Sequence, residues 1–92
     1  MDARVEVQDA EMAAAFAMLG EGLKRRLLKH GKKSFIGNHE TLGVIQEEMV
    51  ELTLAIQSNV DADVLAELLD VGVGALFGIA SMMAITRSKA GA

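Results

Sequence analysis

The sequence predicts an all-α protein, a bundle of three to four antiparallel helices that is completed by oligomerisation. Apolar residues recur at steps of three and four along most of the chain, which is the period of an amphipathic helix. Proline is absent, and Ala, Leu, Met and Glu, which favour helix, are abundant. A length of 92 residues allows one domain, spanning 1–92. Cysteine is absent, which excludes disulfides, thiolate catalysis and cysteine-ligated zinc.

The first helix is expected to begin after residues 1–8, which have no apolar pattern and are expected to be a frayed end. Asp9 is the expected N-cap, because a side-chain oxygen at that position accepts a hydrogen bond from the first turn. Gly20 and Gly22 are expected to bend or split this helix, and Gly31 is expected to end it. Its apolar stripe consists of Met12, Phe16, Leu19, Leu23 and Leu27.

The second helix follows a connection over residues 30–40, in which Phe35 and Ile36 are expected to anchor the loop in the core. Asn38 or Thr41 is the expected cap. The helix is expected to end around residues 58–59, and it carries the clearest amphipathic stripe of the chain: Leu42, Ile45, Met49, Leu52 and Ile56.

The third helix is expected from about Ala62 to Thr86 or Arg87. Its segment 71–85 contains no charge, and it is shorter than the ~20 apolar residues that a membrane span needs. A helix without a polar face must be covered on every side, and a 92-residue chain cannot supply that cover alone. The sequence therefore predicts a homodimer or a dimer-of-dimers tetramer. The charged N-terminus lacks the apolar run of a signal peptide, which favours a cytoplasmic protein without membrane attachment.

Two acidic motifs contain five carboxylates: Glu47, Glu48, Glu51, Glu67 and Asp70. They stand out because no Lys or Arg occurs from Ser34 to Thr86. Like charges repel on a helix, so such a group calls for an external cation. On helices, two pairs at i, i+3 would each share a side, and antiparallel neighbours would bring the pairs together. An oxygen-only site suits Mg²⁺, or alternatively Mn²⁺. The convergent four are Glu48, Glu51, Glu67 and Asp70, whereas Glu47 points about 100° away from Glu48.

These residues carry a resemblance to a known family. Residues 47–51 read Glu-Glu-Met-Val-Glu and residues 67–70 read Glu-Leu-Leu-Asp, which resembles the Glu-Glu-x-x-Glu and Glu-x-x-Asp signature of the MazG-like nucleoside triphosphate pyrophosphohydrolases. These enzymes belong to the all-α NTP pyrophosphatase superfamily, and the likeness spans about Leu42 to Leu76. The run after Asp70, Val-Gly-Val-Gly, differs from the Asp-Leu-Leu-Tyr-His run typical of the phosphoribosyl-ATP pyrophosphohydrolases.

The resemblance implies a hydrolase that converts a (d)NTP to the monophosphate and pyrophosphate with Mg²⁺, in nucleotide-pool house-cleaning. It implies that Glu47 is catalytic and positions or deprotonates the attacking water. It implies that the magnesium ligands are Glu48, Glu51, Glu67 and Asp70.

Substrate contacts are less defined by the pattern. Six of the nine cations lie between Lys24 and Lys33, where they either bind phosphates or complement a helix end, and Lys32 and Lys33 are the preferred phosphate ligands. Phe35 either stacks on a base or anchors its loop. Three phenylalanines as the only aromatics, with a net charge of −4, argue against nucleic-acid binding.

Two other functions stay open at this stage. One is a non-catalytic helical oligomerisation or adaptor module whose acidic patch docks a basic partner. The other is a protein that binds metal and nucleotide as a sensor without hydrolysis. A di-iron carboxylate bundle is disfavoured because neither His30 nor His39 forms a Glu-x-x-His pair.

Overall fold

The computed structural model describes residues 3–91 and contains three helices: α1 (Asp9–His30), α2 (Asn38–Ser58) and α3 (Asp61–Ala90). No strand occurs within residues 3–91, so the all-α prediction is confirmed. Residues 3–8 precede α1 without regular structure. Of the expected frayed end, residues 1–2 lie outside the described part of the chain.

α1 is capped one residue earlier than predicted. Gln8 is the N-cap, and its backbone N–H donates to Glu11 Oε1 at 2.9 Å, which satisfies one of the free groups at the helix start. The expected break at Gly20 and Gly22 is absent, because two interior glycines cost about 1 kcal/mol each, too little to interrupt a 22-residue helix. Gly31 ends α1 with φ 78°, a left-handed value that favours glycine.

The turn between α2 and α3 is shorter than predicted. Asn59 closes α2 in the left-handed conformation (φ 60°), and Val60 is the N-cap of α3, so α3 begins at Asp61, one residue before the expected Ala62. α2 itself begins after Gly37, with Asn38 already helical. The two-residue connection makes α2 and α3 antiparallel neighbours. α3 continues to Ala90 because no glycine or proline interrupts it after Gly78.

α3 is the central helix, and α1 and α2 both pack against it. Its buried residues recur at helical spacing and define one face: Val73, Gly74, Phe77, Gly78 and Ser81. The glycines on this face permit close packing, since a Cβ at Gly78 would lie 2.8 Å from Thr41 Cγ2 of α2. On the other side, a Cβ at Gly22 of α1 would lie 3.0 Å from Val73 Cγ2.

The connection between α1 and α2 is fixed to α3 through Phe35. This residue is 5% exposed, its backbone N–H donates to Ser81 Oγ at 3.0 Å, and its ring meets Phe77 edge-on with centroids 5.1 Å apart. Arg26 of α1 covers both rings, 4.1 Å from the centroid of Phe77 and 5.2 Å from that of Phe35. The expected loop anchor is therefore correct for Phe35 and wrong for Ile36, which is 88% exposed.

The molecule is elongated and leaves much apolar surface open. Its radius of gyration is 15.8 Å and its longest dimension 57 Å, whereas a compact chain of this length has a radius of gyration of about 12 Å. α1 contains no buried residue, and Leu52, which is 8% exposed, is the only buried member of the α2 stripe. By length and composition, α3 is also long and apolar enough to cross a membrane. This is weak evidence for a membrane span, because core helices of soluble proteins have the same properties.

Candidate metal centre

The acidic residues converge because α2 and α3 run antiparallel from a two-residue turn. One carboxylate oxygen from each of four side chains lies within 4.8 Å of the others, a group we call the acidic quartet: Glu48, Glu51, Glu67 and Asp70. Each helix contributes two residues at i, i+3, which places both on one side of that helix. The structure therefore brings together the four residues that the sequence predicted as metal ligands.

Within the acidic quartet, two side chains are half-buried and two are exposed. Glu48 and Glu67 are the half-buried pair, one from each helix. Their Oε2 atoms are buried and have no hydrogen-bond partner among the described residues. A buried polar atom without a partner costs free energy, so these two oxygens are suited to a ligand that supplies the missing interaction.

The acidic quartet also shifts the protonation of its own members. Burial, followed by the charges of Asp70, Glu51 and Glu67, raises the pKa of Glu48 from 4.5 to about 7. Burial, followed by the charges of Glu51 and Asp70, raises the pKa of Glu67 as well. Near neutral pH the group is thus partly protonated without a cation, and a bound cation would displace those protons.

The donor set fits a hard divalent cation. All four side chains offer oxygen, as Mg²⁺ and Mn²⁺ prefer, and the quartet has no histidine or cysteine as zinc would favour. The observation that tests the fit is the pair of buried, unpartnered oxygens on opposite helices. A cation between them would satisfy both atoms and offset the repulsion that, after burial, raises the pKa of Glu48.

A cavity of about 560 Å³ opens directly beside the acidic quartet. Glu48 and Asp70 of the quartet line it, together with Glu47, which lies outside the quartet as predicted from its position on the helix. Glu47 is exposed, so its carboxylate is accessible to solvent in this cavity. The volume lies within the range of about 300–1,000 Å³ that is typical of small-molecule sites.

The residues that α1 contributes to this cavity are basic. Lys32 and Lys33 were the phosphate ligands preferred from the sequence, and the basic residues of α1 were not assigned to this site. α1 contributes a group that we call the cation wall, Arg25, Arg26 and Lys29, and His30 lines the cavity beside them. The signal was present in the sequence, since Arg25 and Lys29 are one turn apart (i, i+4) and Gly22 precedes them on the same face. What the sequence did not reveal was which residues of α1 meet the cavity beside the acidic quartet.

The other predicted substrate residues lie elsewhere. Lys32 and Lys33 line a separate cavity of about 460 Å³ with Arg87 and Lys89, away from the acidic quartet. Phe35 is buried against Phe77 and does not line the cavity beside the quartet. The structure therefore does not bring these three residues to the acids.

No family model, curated protein or solved structure matches this chain. The features that bear on function are therefore those of the chain itself: the two acidic motifs, the positions of their side chains and the cavity beside them.

Proposed function

We propose that the protein is a magnesium-dependent nucleoside triphosphate pyrophosphohydrolase of the MazG-like type, which clears nucleotides from the cytoplasmic pool. The observation that carries the proposal is the acidic quartet. Its residues come from the Glu-Glu-x-x-Glu and Glu-x-x-Asp motifs, and four of their carboxylate oxygens lie within 4.8 Å of one another. The adjoining cavity supports it, because acids on one side and cations on the other suit a metal-bound anionic substrate.

Each acidic residue has a role in this proposal. Glu48, Glu51, Glu67 and Asp70 hold Mg²⁺, which when bound supplies neutralisation of phosphate charge and a water of lowered pKa. Glu47 faces the same cavity from outside the acidic quartet, so it is available to accept a proton from the attacking water. Hydrolysis at the α-phosphate then releases the monophosphate and pyrophosphate.

We also propose that the protein is a homodimer or a dimer-of-dimers tetramer. On α3 an exposed apolar stripe lies opposite the buried face, with Ile79 59% and Met83 69% exposed. On α2, Leu42, Met49 and Ile56 are spaced by seven residues, and each is about half exposed. Apolar surface on this scale is unusual for a monomer, and a seven-residue repeat is typical of a helix that packs along another helix.

The test is release of pyrophosphate from a panel of canonical and modified (d)NTPs, with and without Mg²⁺. We expect Mg²⁺-dependent turnover of at least one nucleotide, and a loss of at least about a hundredfold in Asp70→Asn. Asp61→Asn is the matched control, since Asp61 is an exposed aspartate of the same helix that lies outside the acidic quartet. Full activity in Asp70→Asn would refute the proposed metal centre.

The alternative is a non-catalytic adaptor whose acidic patch docks a basic partner. It predicts that Mg²⁺ leaves the melting temperature unchanged and that Glu48→Gln and Asp70→Asn are tolerated. A sensor would instead bind Mg²⁺ and nucleotide and release no pyrophosphate. Melting curves with Mg²⁺ and an α,β-methylene triphosphate, read beside the turnover assay, separate the three functions.

A further inference from the structure

The cavity beside the acidic quartet has two chemically opposite sides. Glu47, Glu48 and Asp70 belong to α2 and α3, whereas the cation wall belongs to α1. Within residues 3–91, no ion pair joins Arg25 or Lys29 to these carboxylates. Opposite charges that border one cavity without touching leave the space between them to a ligand that carries both a cation and an anion.

The members of the cation wall are not equivalent. Arg26 is committed to packing, since its guanidinium lies over the rings of Phe77 and Phe35. Arg25 and Lys29 have no such contact, are exposed and lie one helical turn apart, so both head groups are available to the same ligand. Long side chains with free head groups suit phosphate oxygens, which both residue types bind through charge-assisted hydrogen bonds.

The packing of α1 on α3 brings this wall close to the acids. Gly22 lies three residues before Arg25, and a Cβ at this position would lie 3.0 Å from Val73 Cγ2. Val73 in turn follows Asp70 by three residues on α3. This tight contact between the two helices therefore lies one turn from Arg25 on one helix and one turn from Asp70 on the other.

We propose that Arg25 and Lys29 bind the phosphate chain of a metal-chelated polyphosphate, with Arg26 as a positioning residue that holds α1 in place. This inference rests on the proposed function for the identity of the nucleotide, but the ligand class follows from the cavity. A triphosphate beside four carboxylates and one divalent cation still faces an excess of negative charge. The cation wall would supply positive charge to the phosphates from the α1 side of the cavity.

The inference assigns phosphate binding to α1 and not to Lys32 and Lys33. Those two lysines line the separate basic cavity with Arg87 and Lys89, which contains no acid to hold a metal. A metal-chelated ligand therefore distinguishes the two sites, because only the cavity beside the acidic quartet offers both kinds of group.

The experiment titrates inorganic tripolyphosphate into the full-length protein by calorimetry with saturating Mg²⁺. We expect Arg25→Gln and Lys29→Gln each to weaken binding by about tenfold, the loss of one charge-assisted hydrogen bond. Lys24→Gln is the matched control, because Lys24 pairs with Glu21 at 3.2 Å and does not line the cavity. Melting curves of all variants verify that they fold.

Several outcomes would overturn the inference: no binding of magnesium tripolyphosphate, unchanged binding in Arg25→Gln and Lys29→Gln, or a loss confined to Lys33→Gln. The outcome is separable from that of the proposed function. If no nucleotide is hydrolysed but tripolyphosphate binding depends on Arg25 and Lys29, the inference stands and the enzymatic proposal fails. If a nucleotide is hydrolysed with an unchanged KM in both variants, the enzymatic proposal stands and the inference fails.

Discussion

Replacing Glu48 with Gln is expected to stabilise the metal-free protein at alkaline pH. The folded state raises the pKa of this carboxyl from 4.5 to about 7, so folding at pH 8 forces an ionised group into a site that disfavours the charge. Gln has nearly the same shape and no charge to accommodate. A residue that is central to the proposed function is thus expected to be a liability for stability.

The magnitude follows from the size of the shift. Raising the pKa from 4.5 to about 7 corresponds to roughly 3 kcal/mol when the group is fully ionised in both states. Partial solvent screening reduces this to about 1–2 kcal/mol. For a chain of this size, that is a rise in melting temperature of about 5–10 °C.

The effect of Glu48 on folding stability is expected to depend on pH. Below pH 4.5 the carboxyl is protonated in both states, and its contribution to stability is fully present. As the pH rises to about 7 the unfolded state loses its proton first, so stability falls until the folded group has also ionised. The benefit of Glu48→Gln is therefore expected to be small at pH 5 and largest at pH 8. The raised pKa of Glu67 acts in the same direction.

The assay is thermal melting in EDTA at pH 5 and pH 8, repeated with Mg²⁺. Wild type is expected to gain stability with Mg²⁺ at pH 8, and Glu48→Gln is expected to lose most of that gain. Glu47→Gln is the control: it lies in the same cavity but outside the acidic quartet, and we expect a change within about 0.5 kcal/mol. A lower melting temperature for metal-free Glu48→Gln at pH 8, or the same shift at both pH values, would refute the reasoning.

Three further predictions concern packing. Gly78→Ala is expected to destabilise the protein by about 1–2 kcal/mol in urea unfolding, because the new Cβ would lie 2.8 Å from Thr41 Cγ2; Gly20→Ala, with open space around it, should instead stabilise by about 0.5–1 kcal/mol, and a gain in both would contradict the packing. Ser81→Ala removes the acceptor for the buried N–H of Phe35 and should cost about 1–2 kcal/mol by the same measurement, whereas the exposed Ser88→Ala should be neutral. Met83→Glu, on the exposed stripe of α3, is expected to reduce the mass measured by light scattering, and an unchanged mass would exclude this stripe from the interface.

The three helices were predictable from this sequence, as were the ends of α1 at Gly31 and of α2 at Ser58, whereas the helix caps and the end of α3 were not. The period of three to four residues places α1, α2 and α3 without reference to tertiary contacts. The caps depend on backbone conformation: Asn59 closes α2 in the left-handed region, which shortens the turn and makes Val60 the cap of α3. Two glycines in α1 were expected to weaken it, yet the helix is unbroken and Gly22 packs closely against Val73 of α3.

The acidic quartet was predictable because its geometry is local. Residues at i, i+3 share a side of any helix, and a short turn makes two helices antiparallel. The cation wall needed information of a different kind, namely how α1 is placed on α3 and which of its residues meet the cavity. The apolar stripe of α1 indicates the side that packs, and Leu19 does lie against Gly72 of α3. The exact placement depends on side-chain packing between segments about fifty residues apart, such as Gly22 against Val73.

α3 contributes residues to two separate surfaces, the acidic quartet and the exposed apolar stripe. All four acids, Glu47 and the cation wall belong to one chain, so the described residues include both the proposed metal ligands and the cations. The exposed stripe that includes Ile79 and Met83 lies on the opposite side of α3 from its buried face. We therefore expect the proposed assembly to affect the site through the stability of α3. A variant such as Met83→Glu should accordingly melt earlier than wild type and still gain stability from Mg²⁺, because the substitution leaves the proposed cation ligands intact.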